Sequence, residues 1–135
     1  MFYAQLTKKF HEIQGGGNMK AAIFVLADVD SHEGLGRVVN ALEAVKQFKE
    51  AKDDVKLYFD GTGTKWISEL NKKDHIAHGL FETVSDKIEG VCLFCANAFG
   101  ASDSVKQCNV DFIDEKDQHI DVRQLVLDGF TILNF

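Results

Sequence analysis

Apolar and polar positions along this chain follow two rhythms, and the way the rhythms take turns predicts the architecture. Ala21 to Ala27 is an unbroken apolar run, the pattern of a strand buried on both faces. After the polar loop Asp28-Val29-Asp30-Ser31-His32, apolar residues recur every three or four positions: Leu35, Val38, Val39, Leu42, Val45 and Phe48. Arg37, Glu43, Lys46 and Glu50 fall on the opposite side, which predicts an amphipathic helix, with Ser31 placed to cap it. Val55 to Phe59 reads as a second strand, followed by a loop at Asp60-Gly61-Thr62-Gly63-Thr64. Two short helices, Trp66 to Leu70 and Ile76 to Ile88, lead to a third strand at Val91 to Phe94. A helix then runs from Cys95 to Gln107, followed by a short strand at Val110 to Ile113 and the acidic loop Asp114-Glu115-Lys116-Asp117. A helix over Val122 to Leu127, ended by Gly129, and a strand over Phe130 to Leu133 close the series.

Strands alternating with helices predict an α/β fold, a three-layer α/β/α sandwich around a five-stranded, mainly parallel sheet. Such sheets bind ligands at the carboxyl ends of their strands. That edge gathers Asp28 to His32, Asp60 to Thr64, Cys92 to Asn97 and Asp114 to Asp117. Residues 1–19 stand apart as an N-terminal extension to a domain over residues 20–135. Gly15-Gly16-Gly17-Asn18 reads as a flexible break, and Tyr3, Leu6, Phe10 and Ile13 share one face of a short helix. Met19, directly before the first strand, is an alternative to Met1 as the natural start.

Charge and composition remove several classes of function. The chain has 135 residues and a net charge of -6, with lysines interleaved among acids rather than gathered in a stripe. That argues against nucleic-acid binding. Ala21 to Ala27 is too short to cross a membrane, and Met1 to Lys20 lacks the apolar core of a secretory signal. A cytoplasmic location follows as the expectation, with the three cysteines as free thiols.

The chemistry concentrates at Cys92-Leu93-Phe94-Cys95, where a strand is expected to run into a helix. A helix N-terminus presents unpaired N–H groups, here those of Ala96 and Asn97, which favour a thiolate. Cys95 is therefore the expected reactive residue. Cys92 is either a resolving thiol or a buried structural one, since strand alternation would point it with Phe94 away from Cys95. Cys108, before the fourth strand, reads as structural. The chain has no proline, where about 7 would be ordinary. That excludes the thioredoxin scaffold, which sets a cis-proline beside its thiols. No second Cys-x-x-Cys accompanies the first, and His75 and His78 read as a surface pair, so no metal is expected. His32, Glu33, Asp60, Gly61, Thr62 and Asn97 are the expected pocket around the thiol, with His32 placed to move a proton. Gly34-x-Gly36 and Gly61-x-Gly63 lack the third glycine and the ribose-binding acid of a dinucleotide site, so no cofactor is expected. Trp66 reads as a core or subunit-contact residue.

Several segments together carry a family resemblance. They are Ala21-Ala22-Ile23-Phe24-Val25-Leu26-Ala27-Asp28, the run His32 to Leu42, Phe59-Asp60-Gly61-Thr62-Gly63-Thr64-Lys65-Trp66, Cys92 to Gly100, and Leu125-Val126-Leu127-Asp128-Gly129-Phe130. In this order they make Lys20 to Phe135 resemble the DsrE/DsrF-like family, in particular its small single-domain members. The resemblance implies a five-stranded parallel sheet, a homo-oligomer (dimer, trimer or hexamer) and cytoplasmic sulfur transfer. It also implies a persulfide on the cysteine after the third strand, a position matched by Cys95, with another protein as sulfur donor or acceptor. The leading expectation is a sulfur carrier or small sulfurtransferase subunit. The alternatives are a non-catalytic ligand-binding or assembly module of the same fold, and a redox switch through Cys92 and Cys95.

Overall fold

The structure, a computed structural model, describes residues 17–135; the helix expected over Tyr3 to Ile13 lies outside them. β1 (Lys20–Val25) is buried from Ala21 onward. It lies between β2 (Asp54–Phe59) and β5 (Thr131–Asn134), pairing in parallel with both. β3 (Ile88–Cys92) and β4 (Phe112–Ile113) extend the sheet beyond β2, giving the order β4-β3-β2-β1-β5 with every pairing parallel. Six α-helices connect the strands among the described residues: α1 (His32–Glu50), α2 (Trp66–Leu70), α3 (His78–Val84), α4 (Leu93–Ala98), α5 (Ser102–Gln107) and α6 (Val122–Leu127). Ahead of β1, the backbone N–H groups of Gly17 and Met19 both donate to the buried Asp53 carboxylate, at 2.8 and 3.0 Å.

The apolar run of β1 divides by the pleat. Ile23 and Val25 join Leu57, Phe59 and Val91 on one face, packed under Leu42 of α1, Trp66 of α2, Phe81 of α3 and Val105 of α5. Ala22 and Phe24 join Tyr58 and Cys92 on the other, covered by Ile120, Leu125 of α6 and Phe130. This division follows from right-handed crossovers. The chain steps in one direction from β1 to β4, which keeps α1 to α5 on one side. It then returns across the whole sheet to β5, which carries α6 to the opposite side. Phe24 and Tyr58 stack on that thinner side with ring centroids 4.8 Å apart. The ammonium groups of Lys20 and Lys56 lie over the Phe130 ring at 5.1 and 4.9 Å.

Three expected boundaries move. The helix expected up to Ile88 stops at Val84; a 3-10 turn, Ser85–Lys87, leads into β3. Gly90 lets β4 come close there, since a Cβ would meet the Asp111 carbonyl oxygen at 2.6 Å. β3 then ends at Cys92, so Leu93, Phe94 and Cys95 are helical and the alternation expected for them as strand residues does not apply. The single helix expected from Cys95 to Gln107 is two. Gly100, at φ 69°, ends α4; its N–H bonds Asn97 O while that of Ala101 bonds Ala96 O at 2.8 Å, a Schellman closure.

The loop expected at Asp60 to Thr64 is a 3-10 helix, Gly61–Lys65, with the Asp60 carboxylate accepting from Gly61 N at 2.9 Å. Its two glycines serve different needs. Gly61 adopts φ 55°, a left-handed conformation. Gly63 gives space instead, because a Cβ there would collide with the Val25 carbonyl. No described helix is long and apolar enough to cross a membrane.

Candidate functional site

In a doubly wound sheet a crevice opens where neighbouring strands send their following connections to opposite faces. Here those neighbours are β3 and β4: β3 leads into α4, whose Ala96 packs on the thicker side, and β4 leads toward α6 on the thinner one. Three soft donors meet at that point. The ligating atoms of Cys92, Cys95 and His119 all lie within 4.8 Å of one another.

Each is held by local structure. Cys92 ends β3 and is the N-cap residue of α4; its side chain is fully buried. One helical turn on, Cys95 is half-buried and in contact with the thinner core. His119 comes from the loop after β4, which closes as a tight hairpin over Lys116-Asp117-Gln118-His119. Asp117 and Gln118 both take positive φ, 51° and 68°, the signature of a type I′ turn. Aspartate tolerates that region; glutamine does so only under tertiary constraint. The constraint is visible: the Gln118 carbonyl accepts from Phe94 N at 3.0 Å, capping α4. It also lies 3.8 Å from Cys92 Sγ. The His119 ring packs on Phe94, centroids 4.5 Å apart, and its Nδ1 stands 3.5 Å from Cys92 Sγ.

Both thiols are driven toward the protonated form, contrary to the expected thiolate. Burial pushes the Cys95 thiol up to about 12; the facing Asp60 carboxylate adds to this, and the Gly61 N–H opposes it. Burial likewise raises Cys92, against an opposing contribution from the Cys95 backbone. The N-terminus of a six-residue helix does not offset removal from water beside a carboxylate.

The expected pocket divides. Asp60 and Gly61 do stand beside the thiols. Thr62 instead fastens the 3-10 helix to β1, its hydroxyl donating to Leu26 O at 2.9 Å. Asn97 is exposed on α4. His32 and Glu33 sit at the start of α1, in clefts that no cysteine lines. Glu33 faces a cleft of about 370 Å³, where it is paired with Arg37 at 2.7 Å. His32 borders a second cleft with Trp66 and His75.

His75 and His78 are not a free surface pair. His75 Nδ1 accepts from Ala77 N at 3.0 Å and its ring meets Trp66 edge-on, while His78 Nδ1 contacts Leu70 O at 2.7 Å. Cys108 lines a cleft at the amino ends of β3 and β4, among Ile88, Asp111 and neighbouring residues. Sequence reasoning missed His119. The one available signal was the acidic loop after the fourth strand, already assigned to the ligand-binding edge but read only as far as Asp117.

No protein-family model and no solved structure matches the chain. Among curated proteins it is similar to an uncharacterized protein, MJ0733, of Methanocaldococcus jannaschii. The two are 23% identical over 118 residues, which cover 87% of this chain and 96% of that one.

Proposed function

We propose that the cluster of Cys92, Cys95 and His119 is a sulfur-carrying centre and that Cys95 is its persulfide acceptor. The chain is then a member of the DsrE/DsrF-like family, working in the cytoplasm as a homo-oligomer with a donor or acceptor protein. The observation that carries this reading is the meeting of two thiols and one imidazole within 4.8 Å at the point where the connections after β3 and β4 leave for opposite faces of the sheet. Cys95 is the acceptor because it is the more accessible thiol, whereas Cys92 is enclosed.

The step balances without an external oxidant. The Cys95 proton passes to His119, and the sulfur attacks the outer sulfur of a persulfide donor. The Cys95 S–S bond forms as the donor's S–S bond breaks, and the departing thiolate recovers the proton from His119. Donor persulfide and Cys95 thiol thus become donor thiol and Cys95 persulfide. Burial raises the Cys95 thiol, so a nearby proton acceptor assists the step.

The test is to treat reduced, metal-free protein with polysulfide and map sulfur adducts by peptide mass spectrometry. One added sulfur on Cys95, absent in Cys95→Ser, is the expected result. Adducts confined to Cys108, or none on any cysteine, would overturn the proposal.

A further inference from the structure

The same three side chains have the makings of a metal site that the spacing of the sequence hides. His119 lies 24 positions after Cys95, outside any short ligand motif, and only the hairpin after β4 returns it to the thiols. In tetrahedral zinc coordination, Zn–S of about 2.3 Å and Zn–N of about 2.0–2.1 Å set sulfur and nitrogen roughly 3.5–3.6 Å apart. Cys92 Sγ and His119 Nδ1 are already 3.5 Å apart. Two sulfurs on the same ion stand about 3.8 Å apart, and the whole donor set spans no more than 4.8 Å, so small side-chain rotations close the site. Two thiolates and an imidazole suit zinc better than magnesium or calcium, which prefer oxygen. Half-burial of Cys95 leaves a path for entry.

We propose that Cys92, Cys95 and His119 bind one zinc ion, with a fourth coordination position left to an exogenous donor. The two thiols give their protons to solvent as the ion binds, with no change in oxidation state. The inference goes beyond sulfur carriage and does not require it. While the ion is bound, Cys95 is a metal ligand and not a free thiol.

The test is titration of the reduced, chelator-stripped full chain with cobalt(II) as a spectroscopic probe, followed by zinc. Expected are one equivalent of tetrahedral cobalt with a thiolate charge-transfer band, bleached by zinc. The band should be lost in Cys92→Ser and Cys95→Ser and unaffected in Cys108→Ser. His119→Ala should bind about tenfold more weakly or worse, the scale on which even supporting groups tune metal affinity. Because His119 is a partly exposed hairpin residue, that variant keeps the fold, and circular dichroism verifies it. No charge-transfer band in the wild type, or a band indifferent to both Cys92 and His119, overturns the proposal. No sulfur donor is present, so this result stands or falls apart from persulfide formation.

Discussion

The carboxyl edge of the sheet offers two places for chemistry, and they are built in opposite ways. At the start of α1 lies open space, about 370 Å³, yet several of its polar groups already have partners. Ser31 Oγ caps α1 through Gly34 N at 2.9 Å, Glu33 is paired with Arg37, and Asp28 holds Lys65 at 3.4 Å. At the carboxyl ends of β3 and β4, two thiols and an imidazole face one another instead. Enclosed volume follows from how helices and loops happen to leave gaps. Convergent reactive groups follow from where the chain changes direction, and that is the better guide here.

The comparison breaks most plainly by substituting one group at each place. Cys95→Ser should abolish sulfur loading, while Arg37→Ala should leave it unchanged, both read by mass spectrometry of the intact protein. Equal losses would mean that the two places work as one.

Gly63→Ala tests their shared support, since the added methyl meets the Val25 carbonyl at the end of β1. Overpacking of this kind costs about 1–3 kcal/mol, measurable by urea unfolding. In metal-free protein, Asp60→Asn removes a carboxylate that raises the Cys95 thiol. The thiol value then falls, and more thiolate is present at pH 8. Iodoacetamide should therefore react severalfold faster than with the wild type, whose rate should keep climbing past about pH 8.5, the ordinary cysteine midpoint.

Ser31→Ala, at the other place, removes the α1 cap and should lower stability by about 1 kcal/mol without altering thiol reactivity. The smallest effect is expected for Asp86→Asn. Hydrogen bonding from Lys49 lowers the Asp86 carboxyl, so the pair stabilises the fold above the ordinary carboxylate range and loses that contribution as pH falls below it. An exposed pair contributes a few tenths of a kcal/mol, on the order of 0.2–1, and the difference from wild type should vanish in acid.

The order of strands and helices was legible because the two hydrophobic periods are long and distinct: the β1 run and the α1 stripe both emerge where expected. Boundaries near the site were not. Ile88 is expected to end a helix yet begins β3, and Phe94 looks like a strand residue yet belongs to α4; in both, tertiary packing overrides local preference. The thiols were legible as a motif. Their protonation was not, because it depends on burial and on Asp60, which only folding brings together. His119 was hidden for the same reason, since a turn of four residues aims it and no periodicity records where a turn points.

The most direct measurement loads Cys95 with one sulfur, removes the donor, and follows that sulfur after adding a small-molecule thiol acceptor. A carrier predicts transfer of one sulfur to the acceptor, with both Cys92 and Cys95 recovered as free thiols. Release of hydrosulfide with formation of a Cys92–Cys95 disulfide would contradict carriage and make the centre a redox pair.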